Sequence, residues 1–267
     1  MSSSTRRRIR AQMEVFDPAH TLELATRQGY YTDNVFLFVP NLIGYTRVIL
    51  AAAALHYMSY HPKYCTVLYC VSALLDAVDG QAARKLGQSS KFGAVLDMVT
   101  DRCATACLLC YLASVYPDWA LGFQFLIALD FASHYMHMYS SLVTGSASHK
   151  TVRNDVSRIL WWYYNDHRVL FVMCAGNEAF FVALYLAHWI DTPIGLGPSL
   201  ISNLTWPELA AYVTGTIAGV KNIINIVQLW KASKMLVGVD IAERQAAREA
   251  VQKAQAASVK EREKGDL

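Results

Sequence analysis

Six long apolar runs restrict what this chain of 267 residues can fold into. Each is close to the roughly 20 residues that an α-helix needs to cross the hydrocarbon core of a bilayer. The runs occupy residues 36–58, 64–83, 94–115, 119–143, 169–190 and 207–230. They are too long, and alternate too little between polar and apolar residues, to be strands of a membrane β-barrel. The sequence therefore predicts an all-α integral membrane protein, a bundle of six transmembrane helices.

Composition supports a membrane protein. Hydrophobic residues make up 54% of the chain and charged residues only 17%, whereas a soluble domain carries about 25% charged residues. The formal net charge of +3 gives no indication of a nucleic-acid partner. The six cysteines lie in or beside apolar runs and lack paired zinc-type spacing. We therefore expect them to pack between helices.

Basic residues collect in the connections on one side of the predicted bundle. They occur before the first run, between the second and third, and between the fourth and fifth, whereas residues 191–208 contain no Lys or Arg. Because cytosolic loops carry the excess of Lys and Arg, both termini are predicted to be cytosolic. Residues 1–33 form a basic cytosolic lead, residues 34–236 the transmembrane domain, and residues 237–267 a charged cytosolic helix or tail.

Four aspartates interrupt the second and third apolar runs: Asp76, Asp79, Asp97 and Asp101. An ionised side chain in a bilayer helix is unfavourable unless it is paired, hydrated or bound to metal. The first two are three residues apart and the last two are four apart, so each pair shares one helix face. The connection between the two helices is short, which makes them antiparallel neighbours. The four carboxylates are therefore predicted to converge near the cytosolic surface.

Converging carboxylates with little countercharge nearby favour hard divalent cations such as Mg²⁺ or Mn²⁺. Two such ions are a common device for holding a phosphoryl group during transfer. Small residues on the same faces, Gly80, Ala83 and Gly93, would let a nucleotide approach the backbone. Interhelical salt bridges are the alternative, but the nearby basic residues should mostly face water. A cation transporter is a second alternative, although the acids lie at one membrane face and the motif has no second copy.

The spacing of these residues matches a known pattern. Residues 76–101 read Asp-x-x-Asp-Gly-x-x-Ala-Arg, then eight residues, then Gly-x-x-x-Asp-x-x-x-Asp. This resembles the full signature of the CDP-alcohol phosphatidyltransferases. The segments FLFVPNLIGYTRV, DFASHYMHMYSSLVTGSASHK and CAGNE resemble the eukaryotic phosphatidylinositol synthases of that family. The resemblance covers about residues 34–236.

The resemblance implies the CDP-alcohol phosphotransferase fold and a reaction. The phosphatidyl group of CDP-diacylglycerol would pass to myo-inositol, releasing CMP, at a cytosolic site in the endoplasmic reticulum membrane. The four aspartates would hold two divalent ions, Mg²⁺ or Mn²⁺, and Asp101 would also act as general base. Family members are commonly dimers, so a homodimer is expected. Another acceptor, such as glycerol 3-phosphate, serine or choline, stays open because the signature is shared.

The resemblance also assigns substrate-binding residues. Those implied to bind CDP-diacylglycerol are Gly80, Arg84 and Ser90, and those matching the first-helix pattern that lines the donor pocket are Pro40, Asn41, Thr46 and Arg47. Ala83 and Gly93 are further candidates for the donor pocket. For inositol, residues at the cytosolic level are the first candidates: His149, Lys150, Arg153 and Arg168. Polar residues inside the helices are further candidates or interhelical hydrogen-bond partners: Asp130, His134, His137, Asn177, Glu178, Lys221, Asn222 and Asn225.

Overall fold

The computed structural model describes residues 18–26, 34–144, 166–195 and 203–265, which are mostly helical. Its helices are α1 (Pro18–Thr26), α2 (Val39–Tyr57), α3 (Pro62–Lys85), α4 (Lys91–Val115), α5 (Ala120–Val143), α6 (His167–Ala187) and α7 (Trp206–Gly265). The last six coincide in position with the six predicted helices. Among the described residues, three helices, α4, α6 and α7, contain a stretch long and apolar enough to cross a membrane. The all-helical class is confirmed, whereas the count of six spans and the cytosolic termini stay predictions.

The connection between α3 and α4 has well-defined local causes. Gly87 has φ 65°, a left-handed conformation that favours glycine and ends helices. The Gln88 N–H donates to the Ala83 carbonyl at 3.0 Å, which closes the last turn of α3. The side chain of Gln88 then accepts a hydrogen bond from the Val39 N–H at 2.9 Å. This connection therefore ties the start of α2 to the end of α3.

The chain forms two compact units, residues 1–101 and residues 102–267. In the first unit α2 packs against α3, and the buried residues include Ala51, Ala54 and Cys65. In the second unit α7 packs against α5 and α6. Small residues allow the close approach of α6 and α7, since a Cβ on Gly176 would lie only 2.7 Å from Ile217 Cγ2.

The last helix runs further than the apolar pattern indicated. α7 spans 60 residues without a break, which corresponds to a length of about 90 Å. It begins in a capping box, in which the Thr205 N–H donates to Glu208 Oε2 at 2.8 Å. Beyond residue 230 the residues are mainly Ala, Glu, Lys, Gln and Arg, which favour helix, and Gly238 alone does not interrupt it. The predicted boundary at residue 237 is thus a change of composition within one helix.

Candidate functional site

The four aspartates surround one buried side chain, Arg47 of α2. Its Nη1 lies 2.7 Å from Asp79 Oδ2 and 2.7 Å from Asp97 Oδ1. Its Nη2 lies 2.8 Å from Asp76 Oδ1 and also contacts Asp101 Oδ1. Each terminal nitrogen therefore binds one carboxylate from α3 and one from α4. The predicted convergence of the four carboxylates is confirmed.

The expectation of little countercharge near the aspartates is wrong, and Arg47 is the reason. That expectation considered basic residues close to the aspartates in sequence, whereas Arg47 comes from a helix that packs against α3. Its side chain is only 2% exposed. One guanidinium nevertheless balances only one of the four negative charges when all four carboxylates are ionised. The cluster therefore still favours the binding of cations.

The arrangement of the carboxylates fits a divalent-cation site. One oxygen each of Asp76, Asp97 and Asp101 lies within 4.8 Å of the others. The side chains of Asp76 and Asp97 are 41% and 45% exposed, respectively, so both carboxylates are accessible from solvent. A donor set made only of carboxylate oxygens suits Mg²⁺ and Mn²⁺. Asp79 is buried and contacts Arg47, but it is not one of these three carboxylates.

The two glycines of the motif have different surroundings. Among the described residues, a Cβ at Gly80 would meet only Arg84, with Nη1 at 3.5 Å, so this part of α3 offers room beside an exposed guanidinium. A Cβ at Gly93 would lie 2.6 Å from Asn41 Oδ1 and 3.0 Å from Ser90 Oγ. The expectation that Gly93 makes room for a nucleotide is therefore corrected, because Asn41 and Ser90 already fill that space.

The remaining residues of the expected donor pocket lie around these glycines. Asn41 is 1% exposed, and its Nδ2 donates to the Val35 carbonyl at 2.6 Å. Ser90 Oγ accepts a hydrogen bond from the Gly93 N–H at 2.9 Å, which caps the start of α4. Thr46 is exposed and donates to the Leu42 carbonyl within its own helix, and Ala83 is half-buried. Asn41 and Ser90 thus have structural partners, whereas Thr46 and Arg84 reach the surface.

A second polar cluster lies within residues 102–267. Arg102 Nη1 donates to Asp130 Oδ1 at 2.8 Å and lies 3.3 Å from His134 Nε2. His134 Nδ1 lies 2.8 Å from the Asp130 carbonyl oxygen. A neutral imidazole with its proton on Nδ1 satisfies both contacts, since Nδ1 then donates and Nε2 accepts. The cluster therefore presents charged and neutral hydrogen-bonding groups together.

Helix α7 contributes a polar face to the same unit. Lys221, Asn225 and Gln228 follow one another at helical spacing and are 3%, 2% and 2% exposed, respectively. Lys221 Nζ donates to Asn225 Oδ1 at 2.8 Å, and Gln228 Nε2 donates to the Ser133 carbonyl at 3.5 Å. Buried polar groups in apolar helices are retained when they bind one another or a ligand. Lys221 and Asn225, two of the helix residues that the sequence suggested for inositol binding or interhelical hydrogen bonds, thus lie in a buried polar cluster.

Two points concern the residues proposed for inositol. His149, Lys150 and Arg153 lie outside the described residues, and Arg168 is exposed at the start of α6. The ion pair between Arg102 and Asp130 was not predicted, because the basic residues near the four aspartates were expected to face water. The sequence did contain one indication. Arg102 directly follows Asp101, and because consecutive helical residues point about 100° apart, Arg102 does not share the helix face of the aspartates.

Known proteins match most of the chain. The family model described as CDP-alcohol phosphatidyltransferase matches residues 37–187. A CDP-diacylglycerol–inositol 3-phosphatidyltransferase of Schizosaccharomyces pombe is 54% identical over 225 residues, which cover 80% of this chain and 95% of the relative. The human protein of the same name is 43% identical, covering 79% of this chain and 97% of the relative. That of Saccharomyces cerevisiae is 44% identical, with 81% and 93% covered. No solved structure shows a significant match.

Proposed function

The chain belongs to the CDP-alcohol phosphatidyltransferase family, and we propose that it transfers the phosphatidyl group of CDP-diacylglycerol to myo-inositol. The relatives that carry this activity in their names are matched over nearly their whole length. The observation that carries the proposal is the convergence of four aspartates at the family's motif. Glycerol 3-phosphate, serine or choline as acceptor is disfavoured by the names of those relatives. A cation transporter is disfavoured by the family itself.

Asp76, Asp79, Asp97 and Asp101 would hold two divalent ions, Mg²⁺ or Mn²⁺. The oxygen-only donor set and the excess of negative charge over Arg47 support this assignment. Bound divalent ions would neutralise the charge of the donor's pyrophosphate and polarise its phosphorus–oxygen bonds. The exposed sides of Asp76 and Asp97 are where such ions would enter.

The protein's own groups would bind the donor and move one proton. Arg84 would contact a phosphate of CDP-diacylglycerol, and Gly80 would let the nucleotide approach α3. Asp101, whose side chain is 30% exposed, would accept the proton of an inositol hydroxyl. The inositol oxygen would attack the phosphorus that bears diacylglycerol, and the bond from that phosphorus to CMP would break. A carboxylate is a weak base for an alcohol, so late proton transfer and positioning would carry much of the rate.

Recognition of inositol requires many neutral hydrogen bonds, because the molecule has six hydroxyls and no charge. His149, Lys150, Arg153 and Arg168 stay proposals for this role from their place in the sequence. The cluster of Arg102, Asp130 and His134 offers donors and acceptors in one place. Asp130 and His134 therefore stay candidates for hydrogen bonds to the acceptor, as their place in the sequence suggested.

The setting of the reaction follows from the substrates and the apolar helices. The acyl chains of CDP-diacylglycerol would stay in the bilayer, and the distribution of Lys and Arg supports a cytosolic position for the motif. Family resemblance supports the endoplasmic reticulum as location and a homodimer as assembly.

Purified protein in detergent–lipid micelles tests this function. CDP-diacylglycerol and Mn²⁺ or Mg²⁺ are supplied with labelled myo-inositol, glycerol 3-phosphate, serine or choline in parallel. Label is expected in lipid from inositol only, and D101N should abolish it. D118N is the matched control, because Asp118 is exposed in a turn beyond the end of α4. Transfer to a different alcohol would show that inositol is not the acceptor. Folded protein that transfers to none of the four alcohols would contradict the proposed enzymatic activity.

A further inference from the structure

Both terminal nitrogens of the Arg47 guanidinium bind the aspartates. The two terminal nitrogens carry four N–H groups, and each nitrogen contacts two carboxylates, one from α3 and one from α4. The separations of 2.7–2.8 Å from Asp76, Asp79 and Asp97 are those of strong charge-assisted hydrogen bonds. One oxygen of every aspartate is therefore already engaged by this single side chain.

The same carboxylates are those that a divalent ion would need. Ions bound by Asp76, Asp97 and Asp101 would lie close to the guanidinium, because that group touches all three carboxylates. Like charges at such separations repel one another, and the repulsion is stronger where less water screens them. Arg47 is 2% exposed and so gains little screening from solvent. Full occupancy of the cluster by both kinds of cation is therefore unfavourable.

The stem of Arg47 is held less firmly than its tip. Within the described residues, its buried Nε has no hydrogen-bond partner. Contacts of the guanidinium are thus confined to the two terminal nitrogens, which both face the carboxylates. A rotation of the side chain that withdraws the tip would break only the bonds that incoming metal ions replace.

We propose that Arg47 is an internal counter-cation that competes with divalent ions for the four aspartates. In the metal-free protein it holds α3 and α4 together by offsetting the mutual repulsion of their carboxylates. When divalent ions bind, they take over the carboxylate oxygens and the guanidinium withdraws. Arg47 is then a positioning residue that sets how tightly and how selectively the cluster binds metal. This inference rests on the metal-dependent function proposed above.

Binding of Mn²⁺ in the absence of nucleotide tests the competition. The affinity is measured by isothermal titration calorimetry for the wild type, R47Q and R47K, and K85Q serves as a matched control because Lys85 is exposed on α3. R47Q is expected to bind Mn²⁺ about tenfold or more tightly, within the range typical of coupled sites. R47K keeps the charge and should stay closer to the wild type, while K85Q should differ by no more than about twofold. Unchanged or weaker binding by R47Q would overturn the proposal.

Thermal unfolding gives a second readout that does not need activity. After EDTA treatment R47Q should unfold at a lower temperature than the wild type, and Mn²⁺ should raise its Tm by more. An R47Q protein as stable as the wild type without metal would contradict the role of Arg47 as countercharge.

If R47Q does not fold, the wild type can still show whether the Arg47 side chain moves when divalent ions bind. In protein labelled with ¹⁵N-arginine, the Arg47 guanidinium signal is identified by its broadening with trace Mn²⁺. Mg²⁺ is expected to shift this signal and to speed the rotation of the terminal nitrogens. A signal unchanged at saturating Mg²⁺ would overturn the proposal. If the wild type does not bind Mn²⁺, the proposed metal site is wrong. If inositol transfer depends on metal but R47Q binds Mn²⁺ with the affinity of the wild type, only the proposed role of Arg47 is wrong.

Discussion

Alanine substitutions at the two motif glycines should have opposite effects on stability. At Gly93 a new Cβ would lie 2.6 Å from Asn41 Oδ1, far inside normal contact, so the Asn41 side chain must move. At Gly80 the nearest atom, Arg84 Nη1, is at 3.5 Å, which is ordinary van der Waals contact. G93A therefore overfills a packed site, whereas G80A adds a methyl group that makes no close contact with the described residues.

The magnitudes follow from these contacts. In a helix interior alanine is favoured over glycine by about 1 kcal/mol, so G80A should be neutral or slightly stabilising. Moving Asn41, which is 1% exposed, breaks its bond to the Val35 carbonyl. An unsatisfied buried amide costs about 1–3 kcal/mol and overpacking about 1–3 kcal/mol more. After the helical gain, G93A should be destabilised by about 1–5 kcal/mol.

Unfolding of both variants in detergent, with EDTA present to remove stabilisation by metal, measures this difference. A cycle with N41A is the control, since removing the obstructing amide should relieve most of the penalty of G93A. G80A should instead raise the KM for CDP-diacylglycerol, because its methyl group enters the surface proposed to meet the nucleotide. G93A as stable as G80A, or a penalty that persists in full with N41A, would refute the reasoning.

Three further substitutions test other parts of the structure. S90A should lower stability by about 1 kcal/mol through loss of the α4 cap, and S90T should recover most of it, as measured by thermal unfolding. G176A should lower the Tm because its Cβ meets Ile217 at 2.7 Å, and the double variant with I217A should regain part of the loss. D130N should raise the KM for inositol about tenfold, which corresponds to the loss of one charge-assisted hydrogen bond between residue 130 and Arg102. The KM for CDP-diacylglycerol should change little. Equal changes in both KM values would contradict acceptor binding by this cluster.

Features set by local sequence were predictable. Apolar runs of transmembrane length located α2 to α7, because burial of apolar side chains governs where such helices form. The convergence of the aspartates followed from their spacing and the short connection between α3 and α4. The length of α7 was not visible in hydropathy, since a charged, alanine-rich segment continues a helix as readily as an apolar one.

Features that depend on packing between distant segments were not predictable. Arg47 reaches the aspartates only because α2 packs against α3, and no local pattern shows which face of α2 does so. Gly93 likewise looked like room for a ligand until Asn41 was found to occupy that space. Sequence therefore indicated the chemistry of the cluster, whereas the identity of its countercharge required the three-dimensional arrangement.

The most direct test of the central claim is metal-dependent transfer from CDP-diacylglycerol to myo-inositol by the purified wild type. The protein is depleted of metal with EDTA, and Mg²⁺ or Mn²⁺ is then returned in increasing amounts. We expect no labelled lipid before metal is returned, and afterwards one CMP released for each inositol incorporated. Transfer at the full rate in the depleted protein, or no transfer by folded protein at any metal concentration, would contradict the account.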